Sequence, residues 1–97
     1  MTYKKFHIWD FPEDKVRVLL DGNTNSEFWD NCIDKFGSIE IISDYIGVSS
    51  TTILDWKKGN RYITLLFLKK LVKKSDFTFK EIEQKIISYR GGGIVSL

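Results

Sequence analysis

Eight polar side chains fall within a short stretch near the middle of the chain: Ser49, Ser50, Thr51, Thr52, Asp55, Lys58, Asn60 and Arg61. Serine and threonine hydroxyls bond either base edges or phosphate oxygens, and a threonine methyl can touch a thymine methyl. None makes the bidentate guanine contact that arginine makes, so base readout through the hydroxyls would be modest and assisted by DNA shape. Asp55 can accept from a cytosine amino group, or stand as a solvated surface carboxylate that repels phosphate. Nothing comparable supports catalysis. His7 has no paired nucleophile or carboxylate, so a structural histidine is the default reading. The tract from Arg90 through Gly91, Gly92 and Gly93 lacks the Lys–Ser/Thr ending of a phosphate loop and reads as a flexible linker. A zinc site needs about four convergent ligands, whereas His7 and Cys32 stand far apart in sequence. No metal, cofactor or enzymatic activity is expected.

These side chains need helices to present them, and the sequence from Ser26 onward reads as five. Ser26 can cap a helix over 27–36, with Phe28, Trp29, Cys32, Ile33 and Phe36 at helical spacing and Gly37 as a stop. Ser38 caps a second, with Ile39, Ile42 and Ile46 on one face and Gly47 at its end. After Val48, Ser49 caps a third running to Lys58, with Ile53 and Trp56 inward and Gly59 as terminator. Thr64 can cap a fourth, whose Leu65, Leu68, Leu71 and Val72 face inward while Lys69, Lys70, Lys73 and Lys74 face out. Thr78 with Glu81 forms a capping box for a fifth, Phe77 can staple onto Ile82, and Phe79, Ile82, Ile86 and Tyr89 are its buried face.

The second and third helices are joined by a very tight turn in which Gly47 can take a left-handed conformation. Ile42, Ile46, Val48, Ile53 and Trp56 can lock the pair, and small Ser43 falls where the helices approach most closely. A scaffold helix, a sharp turn and an apolar lock are what a DNA-reading helix pair requires.

Residues 45–61, with Gly47, Trp56 and the basic Arg61 beyond, resemble the helix-turn-helix core of Cro and phage-repressor-like (XRE-type) DNA-binding domains. The likeness continues through the helices over 64–74 and 77–89 and covers about two-thirds of the chain. It departs at Ser43, where the family usually has Ala, and at Ile63, where many members have Pro. The resemblance implies a mainly α, five-helix fold in which Ser50, Thr51, Thr52 and Asp55 face the major groove, with Lys58 and Arg61 near phosphates. Fainter is a likeness to the amino-terminal regions of archaeal proteins that carry homing-endonuclease domains.

Residues 1–22 match nothing in that core. Phe6 and Ile8, then Val16, Val18 and Leu20, alternate as strands do around a polar turn at Asp10 to Asp14, which favours a short β-hairpin. Pro12, Glu13 and Asp14 also make a helix opening, with Val16, Leu19 and Leu20 at helical spacing. The domain reading is an amino-terminal extension over 1–22, a helix-turn-helix domain over 23–90 and a linker over 91–97.

At 97 residues, 42% hydrophobic with a single proline, the chain can close one core. One cysteine allows no internal disulfide, and no apolar run approaches a membrane span, so a soluble cytoplasmic protein is expected. The formal charge of +2 hides an asymmetry: five Lys/Arg against nine Asp/Glu over 1–54, and ten against four over 55–97. The expected partner is double-stranded DNA, bound as a transcription regulator or as the targeting domain of a larger protein, with a homodimer or a further carboxy-terminal domain as companion. The competing reading is a protein-interaction domain whose lysines serve solubility.

Overall fold

Aspartate at the head of a helix combines a side-chain cap with a charge that suits the helix dipole, and that combination fixes where the first helix starts. In the computed structural model, which describes residues 8–91, α1 spans Gly22–Phe36 and its cap is Asp21. The Asp21 carboxylate accepts from the Thr24 backbone N–H and hydroxyl, both at 3.1 Å. Ser26, expected as the cap, is an exposed residue inside the helix. The extra turn turns Asn25 inward, where its amide donates to the carbonyls of Trp56 and Lys57 at 2.9 and 3.0 Å.

Helices α2 (Ile39–Ile46) and α3 (Ser50–Lys58) fall where their caps and glycines place them. Helix α4 (Leu65–Lys74) follows Thr64, yet the Thr64 side chain makes no capping bond. The Glu13 carbonyl takes the Leu66 N–H at 2.7 Å instead, and the Glu13 carboxylate meets Lys69 at 2.6 Å. That bond holds the Glu13 carboxyl below its usual range. The Thr78–Glu81 capping box opens α5 (Phe79–Gln84) as expected. Phe77 packs edge-on against Phe28, with ring centroids 5.6 Å apart.

Three strands complete the described residues: β1 (Val16–Leu20), β2 (Ile63–Thr64) and β3 (Ile86–Gly91), antiparallel in the order β2-β1-β3. Four expectations are corrected here. Alternation of Val16, Val18 and Leu20 does mark a strand, but Ile8 is not its strand partner. Ile8–Asp10 is a single 3-10 turn, and β1 pairs with β2 and β3. Phe6 and His7 lie outside the described residues, as does 92–97. The fifth helix stops at Gln84 rather than running to Tyr89, because Ile86 to Gly91 finds a ladder against β1, with a register shift between Leu19 and Leu20. Tyr89, expected to be buried, is 44% exposed. Gly91, read as linker, ends β3 at a φ of 85°, where a Cβ would stand 2.6 Å from the Lys15 carbonyl oxygen.

One hydrophobic cluster runs from Ile8 through Val16 and Val18 to Ile82, so β1 belongs to the same core as the helices. Among the described residues no helix is long and apolar enough to cross a membrane. Trp29, Phe28 and Cys32 of α1 are fully buried. Trp56, 4% exposed, stacks on Trp29 at 6.1 Å, tilts against Phe67 at 5.8 Å, and donates its indole N–H to the Tyr62 carbonyl at 3.1 Å.

Trp56→Ala should therefore destabilise the fold by about 3–5 kcal/mol, as large-to-small core changes do. Thermal melts check it: a variant that melts like the parent would contradict this packing role for the ring. Burial pushes the Cys32 thiol up to about 12, so at pH 8 a thiol-specific disulfide reagent should label native protein only as fast as it opens. Labelling at the rate of a free thiol would contradict the burial.

Candidate nucleic-acid interface

The α2–α3 unit is built from short-range bonds. Ser38 caps α2 by accepting from the Ile41 N–H at 3.2 Å. At its other end Gly47, with φ 76°, donates its N–H to the Ser43 carbonyl at 2.8 Å, a left-handed closure that favours glycine. The Ser43 hydroxyl donates to the Val48 carbonyl, so this one residue pins the turn at two points. An alanine at position 43 could not make the second bond. Ser49 then caps α3, accepting from the Thr52 N–H at 3.3 Å. Ile42, Ile46, Ile53 and Trp56 are buried, and Val48 packs against the same core.

Two bonds close the far end of α3: Gly59 N–H to the Trp56 carbonyl and Asn60 N–H to the Asp55 carbonyl, both at 3.0 Å. This is a Schellman closure, with Gly59 at φ 78°. With the Asn25 amide on the Trp56 and Lys57 carbonyls, the carbonyls of Asp55, Trp56 and Lys57 are satisfied from two directions.

The expected contact residues divide into two groups. Thr51, Asp55 and Lys58 recur at i, i+4 and i+7 on α3 and so share one face, where Thr51 and Lys58 are exposed and Asp55 and Ser50 half-buried. Leu54, 39% exposed, joins this outward surface and was absent from the sequence-based set. Its apolar side chain among hydroxyls could touch a thymine methyl. The second group is held internally. The Ser49 and Thr52 hydroxyls lie 3.0 Å apart, and an Arg61 guanidinium N–H donates to Thr52 Oγ1 at 3.3 Å.

Thr52, Asn60 and Arg61 open onto a groove of about 530 Å³, whose walls also include Arg17, Thr64 and Arg90. Arg17 and Arg90 are sheet residues that the sequence reading did not place here. The signal was present: once 16–20 alternates as a strand, Arg17 must face away from Val16 and Val18. Arg90 could be found only by pairing 86–91 with it. The Arg90 guanidinium lies 3.8 Å above the Tyr62 ring, and the Tyr62 hydroxyl bonds Ser88 at 2.7 Å. The Ser88 bond first, and Arg90 second, hold the phenol below its usual range.

Part of the basic stretch is already committed. Lys69 is paired with Glu13, and Lys57 stands 3.8 Å from Asp30. No family model, curated protein or solved structure matches the chain.

Since a Cβ on Gly47 would meet nothing within 4 Å, the cost of Gly47→Ala is purely conformational, about 1–2 kcal/mol. Gly47→Asn should recover part of it. Equal losses for Ala and Asn in denaturant melts would show that the left-handed backbone is not what the position requires.

Proposed function

We propose that the chain is a sequence-preferring double-stranded DNA-binding module with a Cro/repressor-like helix-turn-helix, reading the major groove with α3 (Ser50–Lys58). The observation that carries this reading is the α2–Gly47–α3 unit. One face of α3 is locked into the core by Ile53 and Trp56, while Thr51 and Lys58 stand outward with no hydrogen bond or ion pair among the described residues. Ser50 and Thr51 sit in the first turn of α3, the part of a recognition helix that meets base edges. Lys58 is the last residue of α3 and Arg61 lies just beyond it, where phosphate contacts orient a protein without reading sequence. Ser49 and Thr52 act chiefly by holding that first turn in shape. Such a module would serve a cytoplasmic transcription regulator or the DNA-targeting part of a larger protein, alone or as a homodimer.

A second reading, a protein-interaction domain, draws on Ile41 and Tyr45, which are 49% and 44% exposed one turn apart on α2. The two readings differ in salt dependence. DNA binding releases counterions, and an apolar protein interface does not.

Duplex binding should show a slope of log affinity against log salt of about −3 to −5, for roughly four to five neutralised phosphates. Lys58→Ala and Arg61→Ala should weaken binding to all duplexes alike and each flatten the slope by about one unit. Thr51→Ala should cost about 1–3 kcal/mol on a duplex selected from a random pool and almost nothing on scrambled DNA. Competition titrations with both duplexes measure all three. Absence of duplex binding at low salt would end this reading, and an unchanged preference in Thr51→Ala would remove α3 as the reader.

A further inference from the structure

We infer that the groove between the outer face of the sheet and the first turn of α3 is a phosphate clamp, in which Arg17 and Arg90 join Arg61 to grip one backbone strand of the bound duplex. The source of the phosphate rests on the DNA-binding reading above. The clamp extends that interface onto the sheet, beyond the helix-turn-helix pair.

Three observations converge on it. The chain has three arginines, and all of them line this one groove, whereas among the described residues no lysine and no carboxylate does. Arginine's planar fork bonds a phosphate through two N–H groups at once, which a lysine ammonium cannot do. Secondly, Arg17 and Arg90 are direct partners across the β1–β3 ladder, and Thr64 is the partner of Arg17 across β1–β2. A row of Thr64, Arg17 and Arg90 therefore crosses all three strands on one face. Like charges placed opposite each other in a sheet are destabilising. Among the described residues no carboxylate is paired with any of the three arginines. A bound anion would turn that repulsion into attraction.

Thirdly, two of the guanidinium groups are held in place before any ligand arrives. The Arg90 guanidinium sits 3.8 Å over the Tyr62 ring, and Arg61 is tethered to Thr52 Oγ1. Preorganisation of this kind lowers the ordering cost of binding. The form of the groove selects a strand over a small molecule. All three arginines are exposed, and the groove is partly open to solvent, whereas small-molecule sites enclose most of their ligand. A phosphodiester backbone needs contact on one side only. Thr52 makes the groove continuous with α3, so a duplex read by that helix would bring its backbone to the arginines.

The test uses the full chain, whose three arginines give three side-chain Nε–H signals in a proton–nitrogen spectrum, assigned from Arg17→Lys, Arg61→Lys and Arg90→Lys. A short mixed-sequence duplex is titrated in one arm and inorganic pyrophosphate in the other. With duplex, the Arg17 and Arg90 signals should shift. Arg17→Gln and Arg90→Gln should each flatten the salt slope by about one unit and weaken every duplex alike. Arg17→Gln removes a like-charge pair, so it should melt no lower than the parent at low salt, which separates lost contact from unfolding. If duplex moves the backbone amides of Ser50 and Thr51 but leaves Arg17 and Arg90 in place, the clamp is overturned and the DNA-binding reading stands. If duplex moves nothing while pyrophosphate shifts both arginines saturably, the phosphate site stands, its source is a small phosphorylated molecule, and the DNA-binding reading falls. If duplex moves no signal at all and pyrophosphate leaves both arginines in place, the clamp and the DNA-binding reading are both refuted.

Discussion

Trp56 fixes the position of everything the site depends on. Its ring stacks on Trp29 of α1 and leans on Phe67 of α4, its indole N–H holds the Tyr62 carbonyl, and its own carbonyl accepts from Asn25. One residue thus ties α3 to α1, to α4 and to the loop that carries Asn60, Arg61 and Tyr62. The outward face of α3 owes its orientation to this inward anchor. The apolar stacking supplies most of the burial energy. The buried Asn25 amide adds direction, because leaving it unpaired would cost about 1–3 kcal/mol. A shift of α3 along its axis would break those bonds together, so the helix has one seat rather than several.

The parts that were legible in the sequence are those whose causes are local. Ser38, Gly47, Ser49 and Gly59 bound α2 and α3 through bonds spanning three to five residues, and the Thr78–Glu81 box opens α5 in the same way. Where the sequence misled, a distant residue decided. Asn25 is turned inward by the carbonyls of Trp56 and Lys57, 31 and 32 residues away, which no local pattern can signal. Ile86 and Tyr89 keep helical spacing from Ile82, yet the ladder with Leu20 and Val18 claims them as strand. Residues 16–20 alternate correctly, but their pairing partners lie at 63–64 and 86–91, which periodicity alone cannot name. Of the candidate contacts, the α3 face was readable because it needs one helix. The sheet arginines were not, because they need two strands brought together.

Those same long-range pairings explain a cost the sheet bears. Setting Arg90 opposite Arg17 gives up some stability, although stacking on Tyr62 offsets part of it by about 0.5–1 kcal/mol for an exposed cation. Threonine at either position would keep the strand and remove the repulsion. A surface that retains charges against their own interest is the pattern of a site whose strain is relieved by a ligand.

The separation of lysine from arginine makes the same point through chemistry. Lys35, Lys57 and Lys69 stand beside Asp76, Asp30 and Glu13, where a compact ammonium on a flexible stem suffices to tie one segment to another. These exposed or half-exposed pairs are worth little individually. The guanidinium groups, by contrast, have no carboxylate partner among the described residues and are set against an aromatic face, a hydroxyl and each other. If charge alone mattered, the two residue types could be exchanged between these places. Their segregation follows from geometry: these three lysines join the protein to itself, and the three arginines line the groove.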